Sequence, residues 1–372
     1  MAATGWDAAQ LIAASIELAD PGRMTRLVAR WPTADVFTSA AVDEVSAGLR
    51  LGPQQAASLA SRVSCADEVL VRDLERQGIA VVALGEKGYP PLLATTPQAP
   101  PLLFVRGCAD VLTGRAIAIV GSRKSTAYGR AVAEAVAERA AVAGLSVVSG
   151  GAMGIDSAAH GAAAGRGTAA AHGAAAASMG ATVAVLGCGV DIAYPPRNRA
   201  LFDRIRESGA LISEFPPGME PRAYHFPLRN RVIAGMAECV VIVEAAAKSG
   251  ALITAGFAAD LGRDVFAVPA QIWATQSIGC LELLRDGAAP LIDPGDPVAR
   301  YGLESPRLCA LALSDLERSV LESIRSGLDT LDALIDGAGG TAAGEHLQAV
   351  TSLELAGMIK RDNGGKLTVC RG

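Results

Sequence analysis

The sequence predicts an α/β protein with a Rossmann-like parallel sheet core, a small helical N-terminal module and a C-terminal winged-helix-like domain. Two observations carry the central part of this prediction. Between residues 116 and 268, short apolar runs alternate with longer helix-like stretches; the runs are AIAIV, LSVVS, TVAVL, ALIS, CVVIV and VFAV. Only 4% of the residues are aromatic. Continuous apolar strands alternating with helices are typical of a parallel sheet covered on both faces.

The segments that flank this alternation predict the remaining domains. Residues 1–76 carry three stretches with apolar positions at helical spacing, which predict a helical module of the SAM or helix-hairpin-helix kind. Residues 77–293 hold a proline-rich extended arm and the Rossmann-like domain that follows it. Residues 294–307 are interpreted as a linker. Residues 308–372 end in a helix, a polar turn and a strand, the order expected of a winged helix.

Composition excludes several classes of protein. The seven cysteines are scattered without a CxxC pair, and the four histidines form no HExxH motif, so neither a disulfide framework nor a metal centre is expected. No cofactor is expected either. No apolar run approaches the roughly 18 residues of a membrane helix, and the first residues lack the pattern of a signal peptide. These features predict a soluble, cytoplasmic protein that does not contact a membrane.

The charge is unevenly distributed. The net charge is −5, yet residues 115–231 contain 13 lysines and arginines against 8 aspartates and glutamates. Residues 301–372 contain 7 against 10, a balance that favours contact with a protein over DNA reading by the C-terminal domain. Because binding depends on local potential, the basic segment is where a polyanion is expected to bind.

Glycine-rich loops follow the first two strands of the predicted sheet. Such a loop before a helix places backbone N–H groups and the positive end of the helix at one point, which suits a phosphate. The alternative is that the glycines only allow tight turns for helix packing. The candidate DNA-binding residues of these two loops are Gly121, Ser122, Arg123, Lys124, Gly150, Gly151 and Gly154.

Three later stretches add cations beside polar side chains. In the first stretch, Tyr194 supplies an aromatic ring before the two arginines. An aromatic ring next to a cation suits single-stranded nucleic acid. Arg231 has an alternative role as a buried ion-pair partner of Glu214 or Glu244, and for Glu244 a buried capping role is favoured over catalysis. The candidate DNA-binding residues here are Arg197, Asn198, Arg199, Arg229, Asn230, Arg231, Lys248, Ser249 and Gly250.

The motifs together resemble the DNA-processing protein A (DprA/Smf) family. The matching segments, in chain order, are GSR, SGGAMGID, GCGVDIAYPPRN, ISEFPPG, RNRVIAG, VIVEA, SGALITA and GRDVFAVP. The resemblance implies a protein that is not an enzyme, that binds and protects incoming single-stranded DNA in natural transformation, and that assists loading of the RecA recombinase. It also implies a homodimer. Arg123 is the first residue it assigns to phosphate contact, and Arg197 the second.

Two alternatives remain at this stage. The SGGAMGID segment is similar to the glycine-rich loop of nucleotide phosphoribohydrolases of the lysine-decarboxylase-like type, although their PGGxGT signature is replaced here by EAAAKSGALITA. The other alternative is a structural or partner-docking relative that has lost DNA binding.

Overall fold

A computed structural model describes residues 5–169, 181–303, 315–328, 330–337, 343–355, 359–361 and 365–369. The chain divides into two compact units, Met1–Ser305 and Pro306–Gly372. Within the described residues, no helix is both long and apolar enough to cross a bilayer.

The first unit is built on a sheet whose strands, in the described residues, number nine. They are β1 (Ala80–Ala83), β2 (Leu102–Gly107), β3 (Ala116–Val120), β4 (Ser146–Ser149), β5 (Thr182–Val185), β6 (Ala210–Ser213), β7 (Cys239–Ile242), β8 (Asp264–Ala267) and β9 (Ala289–Pro290). Their order across the sheet is β1-β2-β6-β5-β4-β3-β7-β8-β9. The six apolar runs found in the sequence are β3 to β8, so that part of the prediction is confirmed.

The sheet is mixed at one edge. Strands β3 to β9 pair in parallel, but β2 pairs antiparallel with both β1 and β6. The proline-rich arm predicted before the core is therefore part of the sheet, which is mostly parallel, as predicted for the core, but mixed at this edge. The reason is burial: Leu103, Phe104 and Val105 of β2 are fully buried, which an isolated arm does not allow.

Helices cover both faces of the sheet. Alternate residues of a strand point to opposite faces, and β3 shows this: Ile117 and Ile119 pack against α8 and α9, whereas Ala118 and Val120 pack against α11 and α12. The helices around the sheet are α7 (Pro91–Ala94), α8 (Ala127–Val142), α9 (Ile155–Ala169), α10 (Arg199–Ser208), α11 (His225–Met236), α12 (Gly250–Asp260), α13 (Ile278–Arg285) and α14 (Asp296–Ala299).

The N-terminal segment is helical, as predicted. Its helices are α1 (Ala8–Leu18), α2 (Pro21–Arg30), α3 (Ala34–Thr38), α4 (Val42–Leu49), α5 (Pro53–Ser64) and α6 (Glu68–Arg76). Trp6, Trp31 and Phe37 form the aromatic centre of their core, with Phe37 5.5 Å from each tryptophan ring. The same cluster includes Leu102 and Phe104 of β2, so the helical segment packs directly on the edge of the sheet.

The first unit extends beyond residue 293. Val298 of α14 is buried against the α8 face of the sheet. The Tyr301 hydroxyl lies 2.8 Å from the Glu238 carbonyl and 3.0 Å from an oxygen of Asp264, at the start of β8. Part of the segment interpreted as a linker thus packs on the core.

The second unit has its own small core. Its elements are α15 (Asp315–Arg325), α16 (Leu331–Gly337), α17 (Ala343–Leu355), β10 (Ile359–Arg361) and β11 (Leu367–Val369). The two strands form an antiparallel pair, and Val320, Leu334, Val350, Leu353 and Leu367 are among the buried residues. Helices followed by an antiparallel pair of strands have the order expected of a winged helix, and that assignment stays a prediction.

The topology fixes where a ligand site is expected. After β3 the chain continues to β4 on one side, whereas β7 pairs with β3 on the other. In open α/β sheets, ligands bind in the crevice at the carboxyl ends of the strands where the strand order reverses. The loops that begin at Gly121, Gly150 and Val243 all leave the sheet at this edge.

Candidate nucleic-acid interface

A cleft of about 450 Å³ opens at the carboxyl ends of β3 and β4, beside the first turns of α11 and α12. Residues from five separate stretches of the sequence meet in it. The residues predicted from sequence that line it are Gly121, Arg123, Arg229, Asn230, Ser249 and Gly250. The structure therefore brings together six candidates that lie up to 129 positions apart in the chain (121 to 250).

The loop after β3 is held close to the loop after β4. A Cβ on Gly121 would lie 2.8 Å from Cγ1 of Ile155, and a Cβ on Gly154 would collide with the Ser122 carbonyl. Gly154 also has a φ of +84°, which favours glycine. The Lys124 amide donates to Oγ of Ser122 at 3.1 Å, closing a compact turn. Arg123 and Lys124 are exposed on this turn.

Arg123 lies over an aromatic pair. Its guanidinium carbon is 5.4 Å from the centroid of the Phe226 ring, and Phe226 is 5.5 Å from the ring of Tyr194. Guanidinium groups within about 6 Å of a ring face are attracted by its quadrupole. Among the described residues, Arg123 has no hydrogen-bond or ion-pair partner. Its charge is available to a ligand, on a side chain that Phe226 orients.

The position of Phe226 follows from the start of α11. Nδ1 of His225, which is buried, donates to the Gly187 carbonyl at 3.0 Å, and the imidazole stacks 4.0 Å from the ring of Phe215. Burial lowers the pKa of His225. A Cβ on Gly187 would lie 3.0 Å from the Phe226 ring, so this glycine makes room for it. Together these contacts direct Phe226 into the cleft, where it is one of the lining residues.

Arg229 is a buried residue that lines the floor of the cleft. It is only 5% exposed, and its guanidinium donates to the carbonyls of Gly150, at 2.8 Å, and Val185. Burial lowers the pKa of Arg229 to about 10, partly opposed by the charge of Asp156. It stays protonated at neutral pH. Its donors are directed at the ends of β4 and β5, so it fixes the glycine loop as well as lining the site.

Asp156 faces Arg229 across the same loop. Its carboxylate accepts from the backbone amides of Gly150, at 3.2 Å, and Ala152, at 3.3 Å. Burial raises the pKa of Asp156, and the charges of Arg229 and Arg123 oppose that rise. Arg123, Asp156 and Arg229 all line the cleft.

The two candidate asparagines connect neighbouring loops. Asn198 is buried, and its amide donates to the Gly151 carbonyl at 2.9 Å and to Oγ of Ser157 at 3.0 Å. Asn230 donates to the Gly250 carbonyl at 3.1 Å, joining α11 to the start of α12. Both side chains are committed to holding the loops around the cleft in place.

The start of α12 contributes the positive end of a helix. Oγ of Ser249 accepts from the Ala251 amide at 3.2 Å and caps the helix, while Ser249, Gly250 and Ala251 all line the cleft. Lys248, immediately before the cap, is exposed. A helix N-terminus that faces a cleft is a favourable place for a phosphate.

Several predicted residues lie outside the cleft lining. Arg231 is 10% exposed and forms an ion pair with the buried Glu214; it also donates to the Gln98 carbonyl at 2.6 Å. This is the buried ion pair left open as an alternative. Arg199 lines a separate cavity of about 220 Å³ with Arg106 and Arg206.

Arg197 is exposed in the short 3-10 turn after Tyr194 and is not among the lining residues of the cleft. Glu244 is the buried capping acid favoured from the sequence: it accepts from the backbone amide of Thr126, at 2.9 Å, and from its hydroxyl, at the start of α8.

Phe226 is a site residue that was not predicted from the sequence. The signal was present, because Phe226 lies in the same stretch as Arg229 and next to the start of a helix that follows a predicted strand. Within the described ranges, no group of three histidine, cysteine or acidic side chains is arranged to hold a metal ion.

Comparison with known proteins agrees with this architecture. Residues 80–301 match the family described as DNA recombination-mediator protein A. A putative DNA processing protein DprA of Mycobacterium tuberculosis is 40% identical over 278 residues, which cover 72% of this chain and 68% of the relative. The protein Smf of Escherichia coli is 33% identical over 312 residues, covering 80% of this chain and 79% of the relative.

Two solved structures are similar. DNA processing protein A of Streptococcus pneumoniae aligns with a TM-score of 0.63 and 32% identity, covering 76% of this chain and 95% of that one. DNA processing protein A of Helicobacter pylori, described for its single-stranded DNA binding mode, aligns with a TM-score of 0.50 and 24% identity over 60% of this chain and 95% of that one. The second likeness concerns the fold alone. The chain belongs to the DNA recombination-mediator protein A family, which confirms the resemblance to DprA and Smf proteins found in its motifs.

Proposed function

We propose that the protein binds single-stranded DNA in the cleft at the carboxyl ends of β3 and β4, and that it protects the strand during natural transformation and recombination without acting as an enzyme. Membership of the DNA recombination-mediator protein A family supports a role on DNA. The description of the Helicobacter pylori relative names single-stranded DNA as its ligand.

The observation that carries the proposal is the arrangement of Arg123, Phe226 and Tyr194 at the cleft. Single strands expose both phosphates and unstacked bases, and proteins that bind them combine a cationic groove with aromatic rings. Arg123 offers a cation without a partner in the described residues, and Phe226 and Tyr194 offer ring faces beside it. Tyr194 is 40% exposed, so its ring is accessible to a base.

Phosphates have a second set of partners in the loops. The amides at the start of α12 and the turn that carries Arg123 and Lys124 lie along the cleft. Contacts to the backbone of DNA position a strand but carry no sequence information. We therefore propose binding with little base preference and a strong dependence on salt.

We propose two roles for the candidate residues. Arg123 and Lys124, with the cap residues Ser249 and Gly250, are proposed to contact DNA, and exposed Arg197 and Lys248 to extend the positive potential. Arg229, Asn198 and Asn230 are proposed to support the loops, because their polar atoms are already bonded to backbone carbonyls.

We further propose that the protein acts in the cytoplasm as a homodimer and assists loading of the RecA recombinase on the bound strand. Family membership is the support for this part of the proposal. The C-terminal unit, with its acidic balance, is proposed to be a winged-helix-like domain that contacts protein partners.

The proposal is tested with a fluorescently labelled oligothymidylate followed by anisotropy. The wild-type chain is expected to bind it, and Arg123→Glu is expected to weaken binding by at least tenfold, because it replaces an attractive charge with a repulsive one. The matched control is Arg72→Glu, an exposed arginine of α6. Equal affinities for the wild type and Arg123→Glu would remove the proposed site. Release of free base from nucleoside monophosphates would instead support the phosphoribohydrolase alternative.

A further inference from the structure

A second cleft, of about 580 Å³, lies on the other side of the β3 loop. It is formed where β7 and β8 end and α8 begins, at the point where the strand order reverses. Thr126 and Tyr128 of the α8 start line one side of it. Gln271 and Ala274, from the loop after β8, line the other.

Two strongly exposed apolar side chains belong to the loop that lines one side of the second cleft. Trp273 is 85% exposed and Ile272 is 69% exposed, and both belong to the loop whose neighbouring residues line the cleft. Tyr128, opposite them, is 61% exposed. The other tryptophans, Trp6 and Trp31, are 4% and 2% exposed. Large apolar side chains grouped at a concave surface mark a binding surface.

The turn between Gly121 and Thr126 connects the two clefts. Arg123 lines the first cleft and Thr126 lines the second, while Lys124 is exposed between them. A strand that leaves the first cleft across this turn therefore passes a lysine before it reaches the second.

No exposed acidic side chain stands in the way of a polyanion at the second cleft, within the described residues. Its one acidic lining residue among the described residues is Glu244, which is 3% exposed and accepts hydrogen bonds from Thr126. No exposed carboxylate therefore lines this cleft in the described part of the chain. A protein partner would bind here through apolar contacts alone. A nucleic acid strand would use both the charge of Lys124 and the ring of Trp273.

We propose that single-stranded DNA bound in the first cleft continues across the Gly121–Thr126 turn and stacks a base on Trp273, in the loop that lines the second cleft. This inference rests on the proposed function and extends it: Trp273 is a second stacking position, occupied only by strands long enough to pass the turn. Stacking on an aromatic ring is tolerant of sequence because every base has a π face.

Tryptophan fluorescence reads this contact directly, because Trp273 is the exposed member of the three tryptophans. Oligothymidylates of roughly 5 and roughly 15 nucleotides, chosen around the site size of single-strand-binding domains, are titrated into the full chain. The long oligomer is expected to quench the emission, and the short one to leave it largely unchanged. Trp273→Ala is expected to lower affinity for the long oligomer by roughly tenfold and to leave affinity for the short one unaltered.

Trp273→Phe is the matched variant, since it keeps an aromatic ring at this position but removes the fluorescence emission of Trp273. It is expected to retain most of the affinity for the long oligomer and to lose the quenching. Equal affinity of the wild type and Trp273→Ala for the long oligomer would overturn the inference. So would quenching that persists in Trp273→Phe, or a blue shift of Trp273 emission with protein concentration alone, which would show that a second copy of the chain covers the ring.

Different results would overturn the second stacking position and the proposed function. Binding of both oligomers with no effect of Trp273 would overturn the second stacking position and leave the first cleft intact. Failure of the wild type to bind either oligomer would overturn the proposed function and this inference together.

Discussion

The guanidinium carbon of Arg123 lies 5.4 Å from the centre of the Phe226 ring, although the two residues are separated by 103 positions in the chain (123 to 226). Arg123 leaves the end of β3 on a glycine turn, and Phe226 enters from the first turn of α11. The Phe226 ring orients the Arg123 guanidinium, and the half-exposed ring of Tyr194 lies beside Phe226. Disturbing either partner is therefore expected to weaken DNA binding.

Phe226→Ala is expected to weaken binding of an oligothymidylate by about 1–3 kcal/mol, the range measured for removal of a stacking ring. Phe226→Tyr keeps a ring at the same position and is expected to bind close to the wild-type level. Anisotropy titrations of both variants check this. A loss that is equal in Phe226→Ala and Phe226→Tyr would argue against stacking and for a purely steric role.

Arg229→Leu is expected to destabilise the fold before it affects any ligand. The change leaves the carbonyls of Gly150 and Val185 without their donor and leaves Asp156 without its neighbouring cation, and breaking such a buried arrangement costs about 3–5 kcal/mol. Thermal unfolding followed by circular dichroism measures this, with Arg229→Lys as the milder variant. An unchanged melting temperature together with lost DNA binding would instead make Arg229 a direct DNA contact.

Arg231 is expected to affect stability and not DNA binding. Arg231→Leu leaves Glu214 as a buried carboxylate without a cation, which is expected to cost about 3–5 kcal/mol, whereas the double variant Arg231→Leu/Glu214→Leu removes both charges and is expected to recover most of that loss. Denaturant unfolding of Arg231→Leu, Glu214→Leu and the double variant gives the free energies of unfolding that complete the double-mutant cycle. If the double variant were less stable than either single one, the ion pair would not be the main role of Arg231.

Stability is expected to fall in acid partly through His160. This side chain is fully buried, and burial lowers its pKa to about 3. The hydroxyl of Thr182 donates to the Val147 carbonyl at 3.0 Å, so Nδ1 of His160 must donate to that hydroxyl, 2.7 Å away. Nε2 has no hydrogen-bond partner in the described residues. The buried charge of Arg229 also opposes protonation of the His160 ring.

The sign of the effect follows from where the proton binds. The unfolded chain takes up a proton near the ordinary histidine pKa of about 6.5, whereas the folded chain does so only near pH 3. The contribution of His160 is therefore fully present above about pH 6.5 and is lost as the pH falls towards 3, by up to about 1.4 kcal/mol per pH unit. His160→Asn, which keeps a polar atom near Thr182, is expected to flatten the decline in unfolding free energy between about pH 6 and 4. A slope identical to the wild type would contradict the assignment.

The core strands were predictable because their burial is visible in the sequence. Runs such as AIAIV and CVVIV have no polar residue, and only a strand covered on both faces tolerates that. The arm was harder to interpret: its prolines indicate an extended chain, but nothing local shows that Leu102–Gly107 finds β6, more than a hundred residues later, as its antiparallel partner. Short helices such as α3, of five residues, carry too few turns for a periodic pattern.

The roles of Arg229 and Arg231 show what sequence spacing does not reveal. Residues two apart on a helix do not face the same side, and here one arginine faces the ends of β4 and β5 while the other faces Glu214. From the sequence both were cations in one motif. Similarly, Arg197 and Arg199 flank the buried Asn198, but Arg199 lines a cavity that is separate from the first cleft. Burial and direction, which depend on the complete fold, separate the proposed DNA contacts from the residues proposed to support the loops.

The central claim is that Arg123 neutralises a phosphate of a bound single strand, and the salt dependence of binding tests it most directly. For single strands the slope of log K against log salt is about −0.7 for each phosphate neutralised. Arg123→Gln is therefore expected to lower the affinity and to make the slope shallower by about 0.7, while Arg72→Gln leaves both at the wild-type values. A slope and an affinity equal to the wild type in Arg123→Gln would contradict the account.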